Sequence, residues 1–285
     1  MINKNTFSRN IPKVPKFSMN RFSHIYDGVS IELTELSSNL SIGLKFSSDG
    51  KNIYVREAFT KLIHQYTIPT AWYLSGQTQY GSFDTEPVLG STLMNGGFEI
   101  SEDGTKLFIK NNTTIFTYTL TTAWDITTAV YDNDSANINT LLDISQGLTT
   151  ISPIVRDNGT KLYIWEQNSG NGYQLDFGTP YDVTTLTYND KSTSYTGGAS
   201  VRSFHVSKNG LHFYDDFFLR QYDFTTPFDI STASWAGYTG PANQVNSGGI
   251  YYSDEGWRFF TCAVNGKFIY QFSVKRDDWK FDESD

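Results

Sequence analysis

One register of this chain holds a lysine, a glutamate, an isoleucine, a histidine and a tyrosine, each five places before a glycine. They are Lys45, Glu99, Ile154, His205 and Tyr251, ahead of Gly50, Gly104, Gly159, Gly210 and Gly256. Glycosidic cleavage at such a convergence needs two carboxylates, one as general acid and one as base or nucleophile. The register supplies only Glu99, so a paired or tunnel-lining glutamate is expected there. The four histidines, His24, His64, His205 and His212, make no close ligand spacing with one another and a carboxylate. Asp132, Asn133 and Asp134 lack the glycine and terminal glutamate of a calcium loop and read as an acidic loop. Gly170-Asn171-Gly172 reads as a hairpin loop rather than a phosphate cradle, because no helix follows it. No Gly-x-Ser-x-Gly nucleophile elbow occurs. The single cysteine, Cys262, excludes an internal disulfide framework and reads as a buried, inert thiol. The reading is non-catalytic, with no catalytic residue, no metal and no cofactor.

The elements that position this register are written five times: FSSDGKNIY (46–54), ISEDGTKLF (100–108), VRDNGTKLY (155–163), VSKNGLHFY (206–214) and YSDEGWRFF (252–260). Their glycines are 54, 55, 51 and 46 residues apart. A period near fifty with strand-type residues points to a propeller. Asp-Gly or Asn-Gly between alternating apolar runs signals a hairpin, since glycine supplies the positive φ of a tight turn. Seven places before each glycine stands a small residue, Gly43, Gly97, Ser152, Ser203 or Gly249. Such positions suit innermost strands crowding around an axis.

A third strand ends near Tyr66, Tyr118, Leu175, Tyr222 and Phe272. A corner then recurs as TAWDITT (122–128), TPYDVTT (179–185) and TPFDIST (226–232). Its Asp and Thr side chains can bond local backbone groups. A fourth strand follows at Tyr131, Tyr188 and Trp235. The last repeat lacks that strand. Tyr26 precedes Gly50 by 24 residues, as Tyr80 precedes Gly104 by 24. Residues 23–37 are therefore assigned as the outer strand of the C-terminal blade. The fold class is all-β, a five-bladed β-propeller over 23–285 closed by this N-terminal strand, with residues 1–22 as a separate arm.

Aromatic residues make up 16% of the 285, which suits pleated, half-buried surfaces. No apolar run resembles a secretory signal or a membrane span. Residues 1–26 carry +5, whereas the whole chain carries −8. A basic arm on an acidic body suits docking onto an acidic partner, through Arg9, Lys13, Lys16 and Arg21. Its prolines, at 12 and 15, favour an extended path; a solvated terminus is the alternative. The acidic body disfavours nucleic acid as a partner.

The Asp-Gly turns and the corners share one end of the ring and vary little between repeats. The connections at the other end differ in every repeat, and loops on a rigid scaffold commonly carry recognition. Trp165, Tyr173, Phe217 and Phe218 are the candidate ligand-binding residues there. Aromatic faces stack on sugar rings; packing between blades is the alternative role.

The string SEDGTKLF, followed by Tyr118-Thr-Leu-Thr-Thr-Ala-Trp-Asp-Ile-Thr-Thr-Ala-Val-Tyr131, resembles repeats of bacteriophage virion proteins, especially tail-fibre and adhesion components. The residues from 158 to 188 and from 209 to 235 follow the pattern next best. The first repeat departs from it at Tyr73, and the fifth loses the corner. The resemblance spans about residues 40–275. It implies a virion-exposed propeller, synthesised in the host cytoplasm. The expected function is recognition of a host-cell receptor, a glycan by the aromatic candidates, with the arm attached to other virion proteins. Several copies on one particle would strengthen weak single contacts. The alternatives are a purely structural virion component and, below it, a glycan-acting enzyme.

Overall fold

The computed structural model describes residues 23–36, 40–57, 60–89, 96–144, 152–166, 170–194, 201, 203–216, 219–238, 247–254, 256–263 and 267–275. The chain opens with β1 (Ser23–Glu32). The first blade is β2 (Leu40–Phe46), β3 (Asn52–Glu57), β4 (Leu62–Thr67) and β5 (Thr78–Asp84). The second is β6 (Phe98–Ile100), β7 (Lys106–Asn111), β8 (Thr114–Leu120) and β9 (Ala129–Asn137). β10 (Ile154–Arg156), β11 (Lys161–Trp165), β12 (Asn171–Phe177) and β13 (Leu186–Ser194) form the third. β14 (Phe204–Val206), β15 (His212–Asp215), β16 (Arg220–Phe224) and β17 (Ala233–Tyr238) form the fourth. The fifth takes β18 (Ser247–Tyr252), β19 (Arg258–Ala263) and β20 (Phe268–Lys275) from the C-terminal part and completes itself with β1.

All five are antiparallel four-stranded sheets, and the innermost strands β2, β6, β10, β14 and β18 touch in succession and close the ring. The protein is a five-bladed β-propeller closed by its N-terminal strand. Five hydrophobic clusters fill the five blade interfaces. Ile31 and Leu33 beside Leu44 and Val55, for example, join the fifth blade to the first. Among the described residues, no helix is long and apolar enough to cross a membrane.

The small residues of the repeat lie where neighbouring inner strands meet. A Cβ on Gly97 would stand 2.7 Å from the Cα of Ser152, and one on Gly249 would stand 2.9 Å from the backbone nitrogen of Leu44. Ser203 Oγ accepts the Ile250 N–H across the fourth-to-fifth interface at 3.0 Å. At this end the axis is pinched.

At the opposite end each corner folds back on its own hairpin turn. Trp72, Trp124, Tyr181 and Phe228 lie on Gly50, Gly104, Gly159 and Gly210, where a Cβ would come within 2.4 Å of each ring. Each of these aromatics also donates its N–H to the carbonyl of the same glycine, at 2.8–3.0 Å. Asp125, Asp182 and Asp229 cap the short 3-10 turns that follow, accepting backbone N–H groups as the corner pattern predicts. Buried glutamines latch these corners to the preceding blade. Gln65 donates to the Trp124 carbonyl at 2.9 Å and accepts the Ile126 N–H at 3.0 Å. Gln174 accepts the Ile230 N–H, and Gln271 accepts the Leu74 N–H, which joins the last blade to the first.

Asp27 secures the closing strand. It accepts Arg258 Nη1 at 2.6 Å, Gln271 Nε2 at 2.8 Å and the Ser273 N–H at 2.9 Å. Asp132 occupies the same place in the second blade, held by Lys106 at 2.9 Å and Thr119 at 2.6 Å. The expected acidic loop is thus a strand whose first carboxylate fastens the blade edge.

Candidate functional site

A cavity of about 310 Å³ opens at the glycine-turn end of the axis. That size sits at the lower bound of ligand pockets. Three residues of the register picked out in the sequence, Glu99, His205 and Tyr251, contribute to its inner wall. Pairing of Lys45, Glu99, Ile154, His205 and Tyr251 with Tyr54, Phe108, Tyr163, Tyr214 and Phe260 puts all five at equivalent points of their hairpins. All are buried, none above 7% exposure. The walls include Glu99, His205 and Tyr251; the mouth is framed by turn residues Ser48, Glu102, Lys208, Asn209 and Asp254, with Trp124 beside them.

Glu99 is the hub of a buried ionic cluster. Its Oε2 accepts Lys45 Nζ at 2.8 Å and lies 3.6 Å from Arg156 Nη1, while Oε1 accepts the Ile100 N–H at 3.2 Å. This is the paired glutamate that the sequence predicts. Arg156 is held by two carbonyls, Nε donating to Val206 at 2.9 Å and Nη1 to Val155 at 2.8 Å. Burial opposes its charge, but Glu99 and the surrounding acidic and phenolic groups prevail and raise its pKa. Burial lowers the pKa of Lys45 despite Glu99. Burial, reinforced by Arg156 and Lys45, takes His205 well below the usual histidine value, so its ring is neutral near pH 7. Tyr251 is pushed up by burial first. His205 rests against Tyr251 at 5.0 Å between ring centroids.

The other carboxylates of the cavity are already engaged. Glu102 accepts the Asn158 N–H at 2.8 Å, and Asp254 accepts Lys208 Nζ at 2.8 Å. The arrangement therefore offers fixed hydrogen-bonding groups beside the rings of Trp124, Tyr251 and Tyr252. Cys262 is fully buried, and burial pushes its thiol up to about 12.

Sequence reasoning expected the ligand residues at the other end of the ring, and for one of the four, Trp165, the structure shows a packing role instead. Its ring is fully buried, stacked on Phe213 at 5.0 Å with 14° between planes. It fills the space opposite Gly172, where a Cβ would come within 2.0 Å of the indole. Trp165 is a packing residue between the third and fourth blades with no face for a sugar. Tyr173 is half-buried, edge-on to Tyr188 at 6.1 Å. The structure does not bring Tyr173 into the axial cavity. Phe217 and Phe218 lie outside the described residues, as do Arg9, Lys13, Lys16 and Arg21 of the arm.

Arg156 escaped the sequence reading. Its signal lies three places before the repeat glycine, where the repeats read Ser47, Ser101, Arg156, Ser207 and Ser253. Ser47, Ser101 and Ser207 each donate to the turn Asp or Asn two residues on. In the third blade an arginine takes the serine's place and reaches the axis.

No family model and no curated protein matches the chain. Among solved structures it is similar to a functionally unknown protein from Desulfotomaculum acetoxidans, at 11% identity and a TM-score of 0.47, covering 80% of this chain and 64% of that one. It is also similar to a Bacteroides uniformis protein described provisionally as a 6-phosphogluconolactonase, at 11% identity and a TM-score of 0.48, covering 82% and 68%. A third likeness is to a chain of the mitotic checkpoint complex, at 12% identity and a TM-score of 0.47, covering 96% and 99%. The chain thus spans less than two thirds of the first of these. Likeness at this level carries no argument about activity.

Proposed function

We propose that this chain is a non-catalytic recognition propeller of a virion surface, whose axial cavity receives a host-cell glycan. One observation carries the recognition reading: a preformed cavity, walled by the buried Tyr251 and Tyr252, sets the partly buried ring of Trp124 beside fixed polar groups on Arg156, His205 and Asn209. Flat rings suit the C–H faces of a sugar, and planar polar groups suit its hydroxyls. The resemblance of the repeats to phage virion proteins supports the virion setting. The basic N-terminal arm on an acidic body supports attachment to the particle.

Hydrolysis is disfavoured because Glu99 is bound by Lys45 and the Ile100 N–H and faces Arg156, while Glu102 and Asp254 hold partners of their own. The test is a glycan array probed with the folded full chain, beside a Lys208→Trp variant that fills the mouth from an exposed turn. Saturable binding lost in the variant, at an unchanged melting temperature, supports the reading. A folded, multimerised protein that binds no glycan and no cell, yet enters particles, would replace it with a structural virion role.

A further inference from the structure

Building on that reading, we infer that the glycan is a singly acidic sugar, its carboxylate or sulfate seated against Arg156 and His205 with its hydroxyl-bearing body toward the mouth.

The inner level of the cavity is built on Arg156 and His205 beside Glu99. Within ion-pair distance Arg156 shares one carboxylate, Glu99, with Lys45, and none of the three exceeds 6% exposure. A guanidinium that shares its close carboxylate with a second cation can take a ligand anion as a further partner. His205 adds a second, independent sign. Its ring is 4% exposed in the cavity wall, and its Nδ1 has no hydrogen-bond partner among the described residues. A neutral imidazole can donate one N–H to an anion.

Arg156 is oriented before any ligand arrives, because its carbonyl bonds to Val206 and Val155 fix the guanidinium plane. A guanidinium so held offers its remaining N–H groups to a carboxylate or sulfate at little ordering cost.

The mouth sets the other half of the specificity. Glu102 and Asp254 place two carboxylates there against the single cation of Lys208. That ring repels a polyanion and accepts hydrogen bonds from sugar hydroxyls. The cavity thus offers N–H donors at its floor and carboxylates at its rim. A sugar with one acidic group accepts from Arg156 and His205 and donates to the rim, whereas a neutral sugar brings no anion to the floor and a polysulfated chain meets the rim carboxylates.

The test uses the folded full chain against matched pairs of saccharides. Glucuronic acid, galacturonic acid, N-acetylneuraminic acid and galactose 6-sulfate are each set beside a neutral counterpart, with heparin as the polyanion. The expected result is at least a tenfold preference for one or more acidic members and no tighter binding of heparin. Arg156→Gln should abolish the preference. His205→Gln, a milder change that avoids breaking the ionic cluster, should reduce it severalfold at a near-wild-type melting temperature. Equal or better binding of the neutral members overturns this inference and leaves glycan recognition standing. Binding of no saccharide overturns both.

Discussion

The two ends of the axis solve the same problem in opposite ways. At the mouth every blade repeats one device, a glycine turn, and four blades cover it with a corner aromatic that is hydrogen-bonded to the glycine. At the pinched end the hairpins use different devices. Glu57 pairs with His64 at 3.1 Å, Lys110 bonds the Asn112 carbonyl at 2.5 Å, and Asp215 pairs with Arg220 at 2.8 Å. In these three hairpins the variation consists of local answers to the burial of polar loop ends. The cavity lies at the uniform end and owes its chemistry to a few departures from the repeat, Arg156 above all. In a ring of repeats, a single odd residue in a regular column marks where the chemistry departs from the scaffold.

The broadest challenge to this comparison removes what both ends share. Deleting residues 1–37 takes away β1, its Asp27 clasp and the buried Ile31, Leu33 and Leu36. Three such side chains are worth about 6 kcal/mol, so the melting temperature should fall by on the order of 15 °C or the cooperative transition should vanish. Deletion of 1–22 alone should leave it in place. Calorimetry on the two truncations decides the matter, and equal melting temperatures would refute ring closure by β1.

Gly97→Val attacks the pinched end. Its Cβ has no room against the Ser152 backbone, so the loss should exceed about 4 kcal/mol by denaturant titration. A well-folded variant would show that the inner strands can separate and that the pinch is not structural. Trp124→Ala attacks the mouth. Loss of a large, partly buried ring that also borders the cavity should cost about 3 kcal/mol. It should also weaken sugar binding, which Gly97→Ser, a smaller insult at the far end, should leave intact in whatever fraction still folds.

These contrasts bear on what the residues alone disclosed. The blade count, the strand order and the N-terminal closure were legible because each rests on local signals repeated five times. Glycine turns, alternating apolar positions and matched spacings from Tyr26 and Tyr80 are such signals. The small residues at the inner-strand contacts were legible for the same reason. The site was legible only in part. Glu99, His205 and Tyr251 emerged from one column, but Arg156 belongs to the next inward-facing column, which the same comparison across repeats would have exposed. Trp165 misled because an aromatic at a strand end looks alike whether it faces solvent or the neighbouring blade. Only the cross-strand pairing with Gly172 and the stack on Phe213 decide it.

The gentlest test of the comparison is titration, because the two ends carry groups of opposite sign. At the mouth, His205 has a lowered pKa in the folded chain, chiefly through burial and then through Arg156 and Lys45. Its neutral form contributes stability that is full above about pH 6.5, the unfolded value, and is lost as the pH falls below it. At the pinched end, burial pushes Asp215 up to about 7, against the pull of Arg220. The folded carboxyl therefore holds its proton longer than the unfolded one, and stability is lost as the pH rises from about 4 toward 7. Between pH 5 and 6.5 the two slopes oppose each other, each at most about 1.4 kcal/mol per pH unit. Asp103, Asp176, Asp223 and Asp229 have lowered values and act mainly below this window. Urea midpoints of the wild type should accordingly change little across it. His205→Gln should turn the profile downward with rising pH, and Asp215→Asn should turn it upward. Profiles parallel to the wild type in both variants would show that neither end titrates as its burial demands.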